Sequence, residues 1–401
     1  MPQIAVIADD LTGAADTGAM FAAEGLATLV AFGPGVRRAA DVLVVSTHSR
    51  HLDGEEAAER TRVAAEQVYA EGAPDWWYKK IDSTLRGHPA AELKALMSVV
   101  SADRALIAPA FPTQGRTTVG GRQLVDGLPL EETPFADEVE TSDVAAFFGE
   151  VTAGGTVYRL GLEVVRGEVE RICRILASGP ALFIADAEVE EDLRRLVGAG
   201  RDSGLRLLCG SAGLAQALQD VVSFEPAVEA PHWPSVDGPV LVVAGSRNPR
   251  TVRQVEVAQD EGAALVWPHG EMVGVEQSGE VEQIIEYLGA GRAVVLTTAG
   301  MELAPLGPQE IAARLGNMVR RALDGTAAGG LVLTGGDVAM GVCAALDSTA
   351  LWLLGEVEPG IPWGRLADGQ CAGLAVVTKA GGFGAERALA KSVHHLRTAR
   401  E

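Results

Sequence analysis

The sequence has few cysteines, and their spacing excludes several kinds of site. Four occur in 401 residues, Cys173, Cys209, Cys343 and Cys371, mostly among apolar neighbours. No C-x-x-C pair occurs, and no Cys/His cluster has the spacing of a zinc site. We therefore expect buried, reduced thiols and not a disulfide framework.

Positive charge is also scarce. The chain has 33 Lys and Arg against 54 Asp and Glu, a formal net charge of −21 and a pI of about 4.8. Non-specific binding to nucleic acid or to an anionic membrane needs a basic face, so the composition disfavours both partners. It leaves room for a small anion, because a local basic pocket can lie on an acidic protein.

Long apolar runs are missing as well. No run reaches the roughly 18 residues that a membrane helix needs. The N-terminal sequence MPQIAVIADD has no basic region ahead of its apolar residues. These features predict neither a signal peptide nor a membrane span, and we expect a cytoplasmic protein.

What the sequence does have is a regular alternation of short apolar runs with longer segments of helical period. IAVIA (4–8), DVLVVST (41–47) and WWYKKI (76–81) are each followed by such a segment. Similar runs recur at 105–110, 181–187 and 205–211 and, later, at 239–246, 264–268, 293–299, 330–336 and 374–382. This alternation is typical of parallel sheets with helices on both faces.

The alternation breaks once. The segment SFEPAVEAPHWPSVDG (223–238) has three prolines and no apolar period, so it reads as a linker. We predict an α/β protein of two α/β domains, residues 1–225 and 236–401, with mainly parallel sheets and an interdomain cleft.

One Gly- and Pro-rich segment, FPTQGRTTVGGRQLVDGLPLEETPFADE (111–138), lacks helical period. Its length indicates a functional loop, a small β-insert or a disordered loop. The alternation in GRQLVDGLPL favours a hairpin.

Three apolar runs of the C-terminal half end in glycine-rich turns that open helices: VLVVAGSRNP, LVLTGGDVAM and AVVTKAGGFG. Ligands of open α/β sheets bind at the carboxyl ends of strands, and a glycine turn at a helix N-terminus suits phosphate. Ser246 and Thr334 offer hydroxyls, and Lys379 offers a charge. For any one of these turns, the alternative is that the glycines allow tight packing of the strand against the helix. That alternative explains the presence of three such turns less readily.

Two common nucleotide motifs are absent. The sequence has no G-x-x-x-x-G-K-[ST], and no strand is followed by G-x-G-x-x-G with an acid about 20 residues later. GGFGAE (381–386) is glycine-rich but has a different spacing. These absences exclude a P-loop enzyme and the usual dinucleotide-binding fold.

In the N-terminal half, Asp9 and Asp10 directly follow the first predicted strand, and Thr12 is the predicted N-cap of the next helix. Adjacent carboxylates at a strand end can act as a general base, bind Mg²⁺ or accept hydrogen bonds from sugar hydroxyls. Helix capping is the alternative, but it accounts for one acid and not for two.

A second polar strand end is KKIDSTLRGHPAAEL, in which Lys80 and Asp82 share a face by alternation. The turn that follows carries Ser83, Thr84 and Arg86. Pro89 is expected in the first turn of the next helix, and His88 is assigned to the start of that helix. Arginine can bind a carboxylate through two hydrogen bonds, and the lysine and the hydroxyls suit neighbouring hydroxyl groups. The segment therefore predicts a small substrate with one carboxylate and several hydroxyls, and a surface turn with incidental charges is the alternative. Another strand end, earlier in the chain, could line the mouth of the same site with Ser46, Thr47 and Arg50.

Eight motifs together resemble the four-carbon acid sugar kinase family. In chain order they are IADDLTGAADTG, KKIDSTLRGHPAAEL, APAFPTQGRTTVGGRQLVDGLPLEETPFADE, CGSAGLA, VAGSRNPRTVRQ, LTGGDVA, GEVEPGIPWG and TKAGGFG. They cover nearly the whole chain. The resemblance implies an N-terminal acid-sugar-binding domain, a C-terminal nucleotide-binding domain and ATP-dependent phosphorylation of threonate, erythronate or an oxo-tetronate.

The resemblance also implies roles for individual residues. The nucleotide positions it gives are Ser246, Gly335, Gly336, Asp337, Val338 and Gly382, to which the turn analysis adds Lys379. The acid-sugar positions it gives are Asp10, Lys80, Asp82 and Arg86, to which the strand-end analysis adds Ser83. Val338 stands where a threonine is common in the family and brings no hydroxyl.

The mechanistic hypothesis is in-line transfer of the γ-phosphoryl group of MgATP to a substrate hydroxyl. Asp10 is the expected base or hydroxyl-orienting group, with Asp9 second, and Lys80 and Arg86 are expected to bind the substrate carboxylate. Mg²⁺ is expected on ATP oxygens and water, with or without one carboxylate, and domain closure is expected to exclude water. A non-catalytic acid-sugar and nucleotide sensor, and a sugar-acid-phosphate hydrolase or isomerase, are the alternatives. The sequence carries no signature of the oligomeric state, so a homo-oligomer is one of the possibilities.

Overall fold

The computed structural model describes residues 1–139, 141–152, 156–233, 237–246, 248–268, 278–299, 301 and 306–398. The chain forms two compact units, Met1–Glu229 and Ala230–Glu401, called here the N-terminal and the C-terminal unit. Both are α/β structures with mainly parallel strands, so the predicted fold class is confirmed. Residues 234–236 of the predicted linker and residue 247 of the AGSRN motif lie outside the described residues.

The N-terminal unit is built on a parallel sheet in the order β2-β3-β1-β4-β11-β5-β10-β9. Its strands and those of a small second sheet are β1 Ile4–Ala8, β2 Thr28–Ala31, β3 Val42–Ser46, β4 Trp76–Lys80, β5 Arg104–Ala108, β6 Arg116–Val119, β7 Arg122–Val125, β8 Leu128–Pro129, β9 Thr156–Leu160, β10 Ala181–Ala185 and β11 Leu207–Gly210.

The helices of this unit are α1 Leu11–Ala23, α2 Gly54–Glu71, α3 Pro89–Val100, α4 Val144–Phe148, α5 Leu162–Val165, α6 Val169–Leu176, α7 Glu190–Asp202 and α8 Ala212–Val221. Short 3₁₀ turns span Pro112–Gln114, Leu130–Glu132 and Gly149–Thr152.

The register of the central strands places the site. β1 is buried along its whole length, as its unbroken apolar sequence dictates, and it pairs in parallel with β3 and with β4. Ala8, the last residue of β1, lies opposite Ser46 on one side and Lys80 on the other. Three strands therefore end at one level, and the polar segments that follow them start side by side.

The Gly- and Pro-rich segment forms the predicted hairpin, extended by a third short strand. β6, β7 and β8 make an antiparallel sheet in that order. Asp186 anchors its first turn by accepting hydrogen bonds from the N–H groups of Gly120 and Gly121, at 2.7 and 2.8 Å. Both glycines have positive φ, which suits a tight turn.

The C-terminal unit has the strand order β13-β14-β12-β15-β18-β17-β16. Its strands are β12 Val240–Ala244, β13 Ala264–Val266, β14 Val294–Thr297, β15 Gly330–Thr334, β16 Ala350–Glu358, β17 Ile361–Leu366 and β18 Ala375–Lys379. Its helices are α9 Pro249–Asp260, α10 Ser278–Gly289, α11 Pro308–Gly325, α12 Gly336–Ala345 and α13 Ala388–Thr398.

The first five strands in this order are parallel, and β17 runs antiparallel to both β18 and β16. The parallel register sets Thr334 opposite Ala244 and Lys379. The three predicted glycine turns therefore start side by side at the carboxyl ends of β12, β15 and β18. The hairpin of β16 and β17 was not predicted from the sequence, and neither were the short strands β2 and β9.

All four cysteines are free. Burial raises the pKa of the Cys209 thiol in β11 and of the Cys343 thiol in α12 to about 12. These two thiols are fully protonated at neutral pH and unreactive in the folded units. No helix within the described ranges is both long and apolar enough to cross a membrane.

Candidate active site

The carboxyl ends of β1, β3 and β4 bring together the polar residues that the sequence analysis selected. This group, called here the strand-end cluster, consists of Asp9, Asp10, Arg50, Lys80, Asp82 and Arg86. Of these, Arg50 had been placed only at the mouth of the site, and the structure puts it at the centre.

The Arg50 guanidinium links the two adjacent acids. Its Nε and Nη2 donate to the two oxygens of Asp9, both at 2.8 Å, and its Nη1 and Nη2 donate to the two oxygens of Asp10, both at 2.9 Å. Nη1 also lies 3.7 Å from Asp82 Oδ2. Burial lowers the pKa of Arg50, but the three carboxylates raise it by more, so the side chain stays charged.

The two acids differ in their access to solvent. The Asp9 side chain is 2 % exposed, and that of Asp10 is 23 % exposed. Burial raises the pKa of Asp9, but Arg50 and the nearby lysines lower it by a larger amount. The pKa of Asp9 is therefore below its ordinary value. Asp9 is thus a buried counter-ion, and Asp10 is the member of the pair that solvent reaches.

Asp10 is also the N-cap of α1, so the predicted cap at Thr12 is wrong. Asp10 has extended backbone angles and accepts a hydrogen bond from Gly13 N at 2.9 Å. Helix α1 begins at Leu11, two residues earlier than a Thr12 cap would allow. Capping and pairing with Arg50 together fix the orientation of this carboxylate.

Asp82 organises the turn after β4. It accepts hydrogen bonds from Thr84 N at 2.7 Å, from the Thr84 hydroxyl, and from Arg86 Nη2 at 2.7 Å. Burial raises the pKa of Asp82, but Arg50 and Arg86 more than reverse this and bring it well below its ordinary value. In this structure Asp82 holds Arg86 and is ionised.

Arg86 keeps part of its guanidinium for other partners. It lies 5.3 Å from the centre of the Phe135 ring, and its Nη1 is 3.8 Å from Glu138. Its Nε is buried and has no acceptor among the described residues. Ser83 contributes its backbone to the neighbouring insert, because its carbonyl accepts from Gln123 Nε2 at 2.7 Å.

Lys80 and Asp10 both border Gly13. A Cβ added at Gly13 would lie 2.7 Å from Asp10 Oδ1 and 3.0 Å from Lys80 Nζ. Lys80 Nζ donates to the carbonyl of Ile81 at 3.0 Å, and the residue is 5 % exposed. The glycine therefore leaves the space in which the carboxylate and the ammonium group sit.

Beneath the cluster lies a buried ion pair. Lys79 Nζ is 3.1 Å from Glu92 Oε2, with the two side chains 0 % and 1 % exposed. Ser49, the neighbour of Arg50, donates its hydroxyl to Glu92 and its backbone N–H to the carbonyl of Asp9 at 2.9 Å. This network joins β4, α3 and the segment after β3, and so supports the position of Arg50.

The C-terminal unit places its predicted residues on backbone turns. Gly335 has a φ of +100°, a conformation that favours glycine, and α12 begins at Gly336 with Asp337 exposed. Val338 is 6 % exposed and packs against Gly245. The hydroxyls of Thr334 and Thr378 are buried and have no hydrogen-bond partner among the described residues.

Lys379 is directed at backbone carbonyls. Its Nζ donates to the carbonyls of Ala380, Gly381 and Phe383, at 2.8, 3.4 and 3.1 Å. Burial, with a smaller effect from Arg250, lowers its pKa to about 8. In this structure Lys379 organises the turn that contains Gly382, and its three N–H bonds already have acceptors there.

Ser246 and Gly381 are in contact. The Ser246 hydroxyl accepts a hydrogen bond from Asn248 N at 3.2 Å, and a Cβ at Gly381 would collide with that hydroxyl. Two of the predicted turns thus meet, which fits a shared phosphate site. Within the described ranges no three His, Cys, Asp or Glu side chains are arranged to hold a metal ion.

Several residues of these sites had no role predicted from the sequence. Arg50 was named without a partner, and no role was predicted for Lys79 and Glu92. The same holds for Thr251 and Gln254 of α9, whose side chains donate to carbonyls of the turn around Gly382. Their partners lie across the sheet or on another turn, so spacing along the chain gave no signal for them.

Two family models match the chain. A sugar-binding N-terminal domain matches residues 4–218, and a nucleotide-binding C-terminal domain matches residues 241–389.

Three curated relatives match over almost their whole length. A D-threonate kinase of Salmonella typhimurium is 35 % identical, with 98 % of this chain and 97 % of that protein covered. A D-erythronate kinase of Heliobacterium modesticaldum is 30 % identical, with 99 % and 98 % covered. A 3-oxo-tetronate kinase of Pseudomonas fluorescens is 30 % identical, with 98 % and 97 % covered.

Solved structures share the fold. A protein from Salmonella typhimurium LT2 superposes with a TM-score of 0.82 at 22 % identity, with 97 % of this chain and 98 % of that chain covered. A protein from Bordetella bronchiseptica, solved with bound citrate as a domain-swapped dimer, has 33 % identity and a TM-score of 0.50, with 100 % and 99 % covered.

Proposed function

Because this chain belongs to the four-carbon acid sugar kinase family, we propose that it transfers the γ-phosphoryl group of ATP to a hydroxyl of a four-carbon sugar acid. The acid is threonate, erythronate or an oxo-tetronate. The N-terminal unit would bind the acid and the C-terminal unit the nucleotide.

The observation that carries the proposal is the orientation and exposure of the Asp10 carboxylate. Its carboxylate is oriented by Arg50 and by the N–H of Gly13, remains partly exposed, and borders the same glycine as the Lys80 ammonium group. A fixed and accessible carboxylate can accept the proton of a hydroxyl or orient it for attack. Phosphoryl transfer depends mainly on such positioning and on neutralisation of charge.

Recognition of the substrate carboxylate is proposed for Lys80 and Arg86. Asp82 and Phe135 hold the Arg86 guanidinium, and its Nε has no acceptor among the described residues. Ser83 and Asp82 would contact substrate hydroxyls or shape the turn around them. A bound carboxylate adds negative charge to a cluster that already holds three acids, so both cations would be needed.

Nucleotide binding is proposed for the turns at Ser246, at Gly335 to Val338, and at Lys379 to Gly382. The buried hydroxyl of Thr334 without a partner fits a site that a ligand completes. Mg²⁺ is proposed to be held mostly by ATP oxygens and water, and when bound it would neutralise charge on the phosphates. Asp9 would act through Arg50 as a counter-ion.

The test is a coupled assay of ADP release with the D and L forms of threonate and erythronate and with the oxo-tetronates. We expect ADP formation that depends on one of these acids. Asp10→Asn should lower kcat by about 10²-fold or more, and Arg86→Ala should raise KM for the acid. Asp75→Asn, an exposed acid just before β4, is the matched control. Wild-type turnover by both site variants on every acid would contradict the assignment.

A non-catalytic sensor is the second candidate, because acid and nucleotide binding do not themselves require a base. It predicts binding of both ligands without acid-dependent ADP release, which the same assay separates. A hydrolase or isomerase would act without ATP.

The proposed partners are small molecules, namely the sugar acid and ATP. The Bordetella relative was crystallised as a domain-swapped dimer with citrate, a carboxylate ligand. A homo-oligomer is accordingly proposed for this chain, and size-exclusion chromatography with light scattering tests it. A cytoplasmic location is proposed on the sequence features alone.

A further inference from the structure

The loop Ala380–Ala385, between β18 and α13, has an unusual hydrogen-bonding pattern. The carbonyls of Ala380, Gly381, Phe383, Gly384 and Ala385 all accept hydrogen bonds from side chains. Three of the donors have buried side chains, namely Lys379 and two residues of α9, Thr251 and Gln254, and these three are called here the carbonyl clamp. The exposed Arg250 of α9 adds a longer contact, from Nη1 to Gly384 O at 3.5 Å.

The α9 donors make specific contacts. Thr251 Oγ1 donates to Gly381 O at 2.8 Å. Gln254 Nε2 lies 3.0 Å from Phe383 O, 3.3 Å from Gly384 O and 2.9 Å from Ala385 O. Both side chains are 0 % exposed. The loop is therefore held from below by a helix that contributes no charge to it through these residues.

Gln254 does not have the environment of a residue retained for stability alone. Its Oε1 is buried and has no hydrogen-bond partner among the described residues. A buried acceptor without a partner opposes folding, and the hydrogen bonds that the same amide donates to the loop offset that cost. The amide thus serves the loop through its donors.

The clamp determines where the loop directs its N–H groups. No peptide bond of the described chain is cis, and in a planar trans peptide the C=O and the following N–H point in opposite directions. Because the carbonyls of Ala380 and Gly381 point at the clamp, the N–H groups of Gly381 and Gly382 point away from it. Within the described ranges neither N–H has an acceptor.

Free N–H groups on consecutive glycines form the concave site that binds phosphate oxygens. We propose that Thr251 and Gln254 are positioning residues for ATP, which hold the loop carbonyls so that the N–H groups of Gly381 and Gly382 face the phosphates. This inference rests on the proposed function and adds two residues to it. Neither side chain would contact the nucleotide.

The experiment compares Thr251→Val and Gln254→Leu, which keep side-chain size but remove the donors. We expect KM for ATP to rise about tenfold or more in each, with KM for the sugar acid within about twofold of wild type. Thr251→Ser keeps the hydroxyl and should restore a nearly normal KM for ATP. Gln259→Leu, an exposed position on the same helix, is the matched control.

A purely structural role would lower the melting temperature without this separation of the two KM values. Unchanged KM for ATP in Thr251→Val and Gln254→Leu would overturn the inference. If Gln254→Leu does not fold, the comparison of Thr251→Val with Thr251→Ser decides alone.

Calorimetric titration with MgADP on the same proteins separates this inference from the proposed function. Wild-type binding that weakens in the variants, without turnover of any acid, would contradict the function and support the positioning role. Equal binding of MgADP by wild type and variants, with acid-dependent turnover, would contradict only the positioning role. Absence of MgADP binding by the wild type would contradict both.

Discussion

Each unit has a lysine at a strand end that is almost completely buried, and the two lysines differ in whether a carboxylate is among their partners. Lys79 is 0 % exposed at the end of β4, and Lys379 is 1 % exposed at the end of β18. Lys79 pairs with the buried carboxylate of Glu92 at 3.1 Å and also donates to the carbonyls of Ile7 and Lys80, at 3.3 and 2.9 Å. Lys379 binds three backbone carbonyls, and no ion pair with a carboxylate is found for it among the described residues.

This difference extends to the two proposed sites. In the N-terminal unit, side chains of opposite charge hold one another in place, and each depends on its partner. In the C-terminal unit, side chains hold the backbone, and the backbone N–H groups are left for the ligand. A charge network suits recognition of a carboxylate among hydroxyls, whereas oriented peptide groups suit phosphates.

The largest effect is expected from breaking the buried ion pair. Lys79→Met leaves the Glu92 carboxylate buried without its counter-ion, which should lower the free energy of unfolding by about 3–5 kcal/mol. The double variant Lys79→Met, Glu92→Leu removes both charges and should recover most of that loss. Urea unfolding measures both. A double variant no more stable than the single one would show that the pair is not the cause.

The next effect concerns the arginine at the centre of the strand-end cluster. Arg50→Lys keeps the charge but cannot make the four hydrogen bonds to Asp9 and Asp10, and misplacement of Asp10 should lower kcat by about 10²-fold. Arg60→Lys, an exposed arginine on α2, is the control. Full activity in Arg50→Lys would mean that charge, and not geometry, is what the acids require.

A pair of glycine substitutions should separate the two sites. Gly13→Ala places a Cβ 2.7 Å from Asp10 Oδ1, and Gly381→Ala places one against the Ser246 hydroxyl. Overpacking of this kind costs about 1–3 kcal/mol, so each substitution is expected to change the affected kinetic constant by about tenfold. Gly13→Ala should alter kcat and KM for the acid, and Gly381→Ala should alter KM for ATP. Changes in the same constant for both variants would contradict two separate sites.

The last prediction is a pH dependence of stability caused by Lys379. Its pKa is about 8 in the folded protein and 10.5 ordinarily, so between these values the unfolded chain keeps a proton that the folded chain has released. Stability must then rise with pH across that interval. The free energy of unfolding of the wild type should rise relative to Lys379→Met between these pH values, as urea titrations at several pH values can show. Parallel curves would contradict a lowered pKa.

The sequence predicted the framework of both units because apolar runs mark buried parallel strands. The strands that it missed are informative. Thr28–Ala31 is only four residues long, Thr156–Leu160 mixes polar and apolar residues and is mostly exposed, and the β16–β17 hairpin has no helix between its strands. None of these fits a search for apolar runs separated by helices.

The candidate sites were predictable where chemistry is local. Asp9, Asp10 and the Lys80–Arg86 segment follow strands directly, so their place at a sheet edge could be inferred. Arg50 pairs with acids 40 and 41 residues away, and Gln254 reaches carbonyls 129 to 131 residues away. Nothing in local composition distinguishes such a buried glutamine from a surface residue of an amphipathic helix.

The two buried cysteines give each unit its own reporter of local opening. Cys209 lies in β11, and Cys343 lies in α12, the helix that starts at the glycine turn of Gly335. With thiol pKa values of about 12, neither should react with an alkylating reagent until the structure around it opens. The rate of labelling at each cysteine, read by mass spectrometry, would therefore measure the opening of one unit independently of the other. Added nucleotide should slow labelling at Cys343, and added sugar acid should slow it at Cys209.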